Sequence, residues 1–135
     1  MIHTIDPGYF CGPSAIQAIT GADMQSVVLP AIHRINGSPW LSEEVIETRG
    51  HIILMVLVEL GYRTLRYRHE SKLGTVGSWG DRYPEDILLL YTREHVVVAH
   101  NGLIFDNFTP MGKIAQTHPF ATIKVTDAYI IRRTH

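Results

Sequence analysis

The chain is short of cysteine, of charge imbalance and of long apolar runs, and each shortage removes a class of protein. One cysteine among 135 residues rules out an internal disulfide and suits a reducing, cytoplasmic setting better than a secreted one. Twelve Lys and Arg stand against 13 Asp and Glu, a net charge of −1, so no broad basic surface draws the chain to nucleic acid or anionic lipid. The longest apolar run, Ile52 to Val58, is too short to cross a bilayer. The segment Met1 to Pro7 has no basic stretch followed by an apolar core, so no signal peptide is expected. Eight histidines invite a metal, yet there is no HExxH and no CxxC pair. His33, His51 and His69 have no partner at ligand spacing. Gly74, Gly77 and Gly80 precede no helical pattern that would cradle a phosphate. We therefore expect no metal site and no cofactor. Internal repeats, low-complexity stretches and linkers are missing too.

What is present describes one folded domain over residues 1–135, with 45% apolar and 19% charged residues. The lone cysteine lies in Tyr9-Phe10-Cys11-Gly12-Pro13-Ser14-Ala15, at what reads as a helix start. Pro13 suits a first turn, Ala15, Ile16 and Ile19 form an apolar face, and Gly21 is a natural stop. A thiol beside the free N–H groups of a helix N-terminus is biased toward the thiolate, which is the nucleophilic form. Met24, Val27, Val28, Ala31, Ile32 and Ile35 continue at helical spacing, with Asp23 as N-cap. Pro30 predicts a kink or two abutting short helices. Ser42-Glu43-Glu44 reads as a further helix start. A helix from about Arg49 to Leu60, closed by Gly61, is apolar all round at its centre and predicts near-complete burial.

The helical part thus covers about 11–61 and a sheet part about 62–135. Tyr62 to Arg68 carries three arginines and reads as a charged edge strand rather than a basic docking patch. Gly74 to Pro84 is a loop whose Trp79, like Tyr9 near the cysteine, is a candidate for lining a substrate groove. Asp86 to Tyr91 reads as a strand buried on both faces. Asn101-Gly102, between His95–His100 and Leu103–Phe108, is a two-residue hairpin turn. With that turn His100 faces Leu103. The alternation of a strand then puts His95, Val97, Ile104 and Asp106 on one side and His100 and Asn107 on the other. Ala121 to Val125 and Asp127 to Arg133 complete the expected strands.

A cysteine capping a helix, followed far downstream by a histidine and a carboxylate on a sheet, is the grouping that nucleophilic thiol chemistry needs. Here the chain resembles the papain-like cysteine peptidases, most closely the small bacterial and phage branch around the bacteriocin-processing C39 peptidases. The resemblance rests on Tyr9 to Ala15, similar to that branch's YCGP segment. It rests also on His95-Val96-Val97-Val98 and Gly102 to Asp106, similar to its histidine–aspartate hairpin. It implies an α+β, papain-like fold with N-terminal helices packed on a C-terminal antiparallel sheet. It implies Cys11 as nucleophile, His95 as base and acid, and Asp106 as the residue orienting His95. The expected function is a cysteine-dependent hydrolase acting on a peptide or isopeptide bond in a peptide or protein substrate. The alternatives are a protein-glutamine deamidase, an acyltransferase, or a non-catalytic module that binds a host or partner protein. Nucleic acid and membrane are not expected partners. One feature departs from the resemblance: the family's oxyanion-binding Gln, a few residues before the cysteine, is replaced by Ile5, with Thr4 and Asp6 beside it. An ionised Asp6 cannot donate a hydrogen bond. Thr4, Asp6 and Asn107 are the remaining candidates for that neighbourhood.

Overall fold

The computed structural model describes residues 1–37 and 50–134. Among these, three α-helices precede a six-stranded antiparallel sheet, an α+β arrangement. Helix α1 (Cys11–Thr20) begins at Phe10 without a side-chain cap and ends on Gly21, whose left-handed φ of 70° lets its N–H reach the Gln17 carbonyl. Asp23 then caps a π-helical turn, Met24–Val28, by accepting from the Ser26 N–H at 2.9 Å. Helix α2 (Leu29–Asn36) follows directly, with Pro30 in its first turn, where the missing N–H costs nothing. The two abutting helices expected around Pro30 are what is found. The proposed start at Ser42-Glu43-Glu44 lies outside the described residues.

Helix α3 (Gly50–Glu59) packs on α1, α2 and the first strand. Only Ile52, Ile53, Val56 and Leu57 are buried, while Met55 and Val58 are 50% and 58% exposed. The expected near-complete burial is thus corrected: α3 lies on the outside of the helical layer, so one face touches neighbours and an apolar strip with Ile35 and Leu54 remains at the surface. Among the described residues, no helix is long and apolar enough to cross a membrane.

The strands are β1 (Tyr62–Arg66), β2 (Ile87–Tyr91), β3 (Val96–His100), β4 (Leu103–Phe105), β5 (Lys113–Ile114) and β6 (Asp127–Arg133), in the order β1-β6-β2-β3-β4-β5. Charged β1 is an edge, with Arg66 paired to Asp127 at 3.2 Å across it. Central β2 and β3 are buried on both faces. Leu89, Val96 and Val98 face the helices, while Leu88, Leu90, Val97 and Ala99 meet a second core roofed by the segment from Leu73 to Trp79. Burying such a side chain contributes about 1.5–3 kcal/mol. The β3–β4 register is the expected one, His100 opposite Leu103 and Val98 opposite Phe105, with Asn101 and Gly102 at φ 52° and 82° as this tight turn requires.

Two strand expectations are corrected. Residues 121–125 form a turn with a single bridge, Thr75 to Lys124, because the backbone closes locally from the Ile123 N–H to the Phe120 carbonyl. The chain beyond Phe105 also leaves the ladder, since Asp106 turns it back on itself, and it returns as the short strand β5.

Candidate active site

Cys11 is the first residue of α1, and His95 immediately precedes β3, against which α1 packs. The Thr92 N–H and hydroxyl both donate to the His95 carbonyl, at 2.8 and 3.0 Å, and fix where the imidazole leaves the backbone. The His95 ring is hydrogen-bonded to the Cys11 sulfur on one side. On the other, its Nε2 lies 2.9 Å from Asp106 Oδ2. The hairpin parity read from Asn101-Gly102 therefore selects the histidine and the carboxylate that do meet. The three groups lie together at the junction of helix and sheet.

Asp106 is almost wholly buried, at 1% exposure. Its Oδ1 accepts from the Phe108 N–H (3.1 Å), the Thr109 N–H (2.7 Å) and the Thr109 hydroxyl (2.7 Å). Burial alone would raise its pKa, but the His95 hydrogen bond and the Thr109 donors outweigh that and hold the carboxyl below its usual range. It is ionised and can only accept, so His95 Nε2 carries a proton. Nδ1 is left for the sulfur, the arrangement in which an imidazole can take a thiol's proton.

The electrostatics agree with this tautomer. Burial alone would disfavour a charged His95, yet the hydrogen bonds with Asp106 and Cys11 and the charges of both push its pKa up to about 9. Burial likewise resists a thiolate at Cys11. The His95 hydrogen bond, the backbone N–H groups of Val96 and Gly12, and the His95 charge bring its pKa below the ordinary thiol value. Each shift has the other group among its causes, so the site favours a thiolate facing an imidazolium more than two isolated side chains would. Phe108 stacks on the His95 ring at 5.7 Å and Phe120 meets it edge-on at 4.8 Å. These rings pack against the imidazole and limit its rotation.

Beside Cys11 lies a groove of about 360 Å³ lined by Phe10, Gly12, Ile53, Tyr91, Arg93 and Glu94 among others. The Tyr91 hydroxyl donates to the Gly50 carbonyl at 2.6 Å and ties the strand wall to the helix wall. Burial, with Tyr129 and Asp127 nearby, raises the Tyr91 pKa, so the phenol stays neutral. Arg93 and Glu94 put one charge of each sign on the exposed rim.

No family model, curated protein or solved structure matches the chain.

Several sequence candidates stand elsewhere. Trp79 is 2% exposed, inside the second core, with its Nε1–H donated to the Leu73 carbonyl at 2.6 Å, and it does not line the groove beside Cys11. The Tyr9 hydroxyl accepts from Gln25, and Tyr9 is not among the groove's lining residues. Neither are Thr4, Asp6 and Asn107. The Asp6 carboxylate accepts from Gln17 Nε2 at 2.9 Å, and its N–H donates to Gln17 Oε1 at 2.7 Å, a tie between the N-terminal segment and α1. Thr4 is exposed, and Ile5, at the offset of the oxyanion donor, is buried in the core. Asn107 Oδ1 is buried without a hydrogen-bond partner.

Three residues of the site went unread in the sequence: Thr92, Thr109 and His118. Thr109 had a signal, since an Asp three residues before a Thr is a common side-chain-capped turn. For His118 no local pattern existed. It directly follows a short helical turn, Ala115–Thr117, and its Nε2 lies 3.2 Å from Asp106 Oδ2 and 3.1 Å from Thr109 Oγ1.

Proposed function

We propose that this chain is a papain-like cysteine hydrolase that cleaves a peptide or isopeptide bond through a thioester intermediate. The observation that carries the reading is the buried, fully hydrogen-bonded Asp106 holding His95 through Nε2 while the Cys11 thiol is hydrogen-bonded to the same ring. In the first step the thiolate attacks the scissile carbonyl carbon and a C–S bond forms. The C–N bond then breaks, and the leaving amine takes the proton from His95 Nδ1. Water next gives a proton to Nδ1 as its oxygen attacks the thioester. The C–S bond breaks, the acid leaves, and the proton is again available to the pair. Asp106 stays ionised throughout and stabilises the imidazolium.

The N-terminus of α1, where the Gly12 N–H already addresses the sulfur, supplies positive potential for the developing oxyanion. No side-chain donor of the Gln type precedes Cys11, and a missing oxyanion donor costs roughly 10²–10³ in turnover. Slow hydrolysis is the consequence. The same feature favours the second reading, a scaffold whose groove binds a protein without cutting it. Deamidation of glutamine or acyl transfer would use the same thioester.

The test is incubation of wild type and Cys11→Ala with a complex peptide mixture, followed by mass spectrometry. New peptide termini made by wild type alone support hydrolysis. Glutamine converted to glutamate instead reassigns the chemistry to deamidation. Peptides retained equally by both proteins, with no covalent change, refute catalysis and leave a binding module.

A further inference from the structure

The carboxylate of Asp106 is shared by two histidines, and the reading above uses only one. We propose that His118 is a positioning residue that acts through Asp106 to hold His95 in register with the Cys11 sulfur; this rests on the reading of Cys11 and His95 as a reactive pair.

The tautomer of His118 follows from its neighbours. The Phe120 N–H donates to His118 Nδ1 at 3.0 Å, so in the neutral ring the proton is on Nε2. That Nε2–H faces Asp106 Oδ2 at 3.2 Å and Thr109 Oγ1 at 3.1 Å. The three donors on Oδ1 all come from the turn that Asp106 itself begins, and Oδ2 is left to partners from other segments. A second contact on Oδ2 holds the carboxylate against rotation about Cβ–Cγ, and with it the lone pairs offered to His95. Among the described residues, His118 is the other group within hydrogen-bond distance of that oxygen.

The residue is built to do this without adding charge. It is 3% exposed, and its ring packs against Phe120 at 5.5 Å, the same ring that meets His95 edge-on. The charged and titratable groups that face it are Asp106, which favours protonation, and His95 and Lys113, which oppose it. Burial is the largest influence and also opposes a proton, so the pKa is lowered and the ring stays neutral. A neutral donor orients the carboxylate yet leaves its charge for His95. A histidine so placed contributes direction rather than potential.

The test reads the pH dependence of Cys11 alkylation by iodoacetamide in wild type, His118→Gln and His118→Leu. The glutamine amide N–H can occupy the place of Nε2–H, whereas leucine offers no donor. The expected result is a thiol midpoint raised by about one pH unit in His118→Leu, roughly tenfold slower alkylation at mildly acid pH, the scale on which orienting partners of an imidazole act. His118→Gln should restore the wild-type profile. A leucine variant with an unchanged or lower midpoint overturns the proposal, as does a glutamine variant as impaired as leucine. A wild-type midpoint like that of a free thiol is a different failure, because it removes the Cys11–His95 pair itself. If His118→Leu does not fold, ¹⁵N chemical shifts of the wild-type imidazoles decide. His118 neutral with its proton on Nε2 at pH 7 supports the assignment, and a proton on Nδ1 or a charged ring overturns it.

Discussion

Replacing Asp106 with asparagine changes one oxygen into an NH2 group, and the structure dictates which one. The Phe108 and Thr109 N–H groups both point at Oδ1, so the amide oxygen must stay there and the NH2 must take the place of Oδ2. That NH2 then faces His95 Nε2, 2.9 Å away, and His118 Nε2, 3.2 Å away. Two donors cannot share a hydrogen bond, so His95 must move its proton to Nδ1 and present it to the sulfur. The imidazole can then no longer take the thiol's proton. In the intact site His95 is raised from 6.5 to about 9, roughly a 300-fold bias toward the imidazolium or about 3 kcal/mol. With the carboxylate charge gone, burial works against that bias. The His95 midpoint should fall by at least about two pH units, and the Cys11 midpoint should rise. A ¹⁵N-detected titration of the imidazoles reads the first, iodoacetamide alkylation the second, and circular dichroism checks the fold. Hydrolysis, if it is the activity, should drop by roughly 10³–10⁴, the cost of the wrong tautomer. A variant whose His95 midpoint stays within about half a unit of wild type would refute the reasoning.

Other outcomes follow from the same structure. His118 is held neutral in the folded chain, while an unfolded histidine titrates near 6.5. As pH falls through that value the unfolded chain takes up a proton that the folded one refuses, so stability should decline below about pH 6.5 and the decline should weaken in His118→Gln, as read by urea denaturation. Leu57→Ala, at a position with no exposed surface, should cost about 2–5 kcal/mol of unfolding free energy with alkylation of Cys11 unchanged. Trp79→Phe should cost about 1–3 kcal/mol by orphaning the Leu73 carbonyl and leave thiol reactivity untouched; slowed alkylation would put Trp79 back at the groove. Gly102→Val forces a β-branched residue to a φ of 82°. It should destabilise by about 1–3 kcal/mol in thermal melts and loosen His95 from Asp106.

What could be read from the sequence was whatever local chemistry decides. Gly21 stops α1, Asp23 caps the next turn, and Asn101-Gly102 sets the register of β3 against β4. That register alone chose His95 over His100, whose Nδ1 pairs instead with the Asp86 carbonyl. What local chemistry leaves open is which side of an element receives a neighbour. Met55 and Val58 are as apolar as Val56 and Leu57, and only the position of the other helices exposes the first two. Trp79 sits in a stretch rich in glycine that looks like a surface loop, yet the segment folds over the far face of the sheet and roofs a core. His118 joins Asp106 by a tertiary contact between two turns, and neither turn names the other in sequence.

The most direct test is whether the Cys11 thiol loses its proton more readily because His95 faces it. Since Cys11 is the only cysteine, the thiolate's ultraviolet absorption can be followed from acid to alkaline pH, with Cys11→Ser as the blank. The account predicts a thiolate band whose midpoint lies below the ordinary thiol value and shifts to higher pH in His95→Ala. A band that rises only in the range of a free thiol, unmoved by loss of His95, would contradict it.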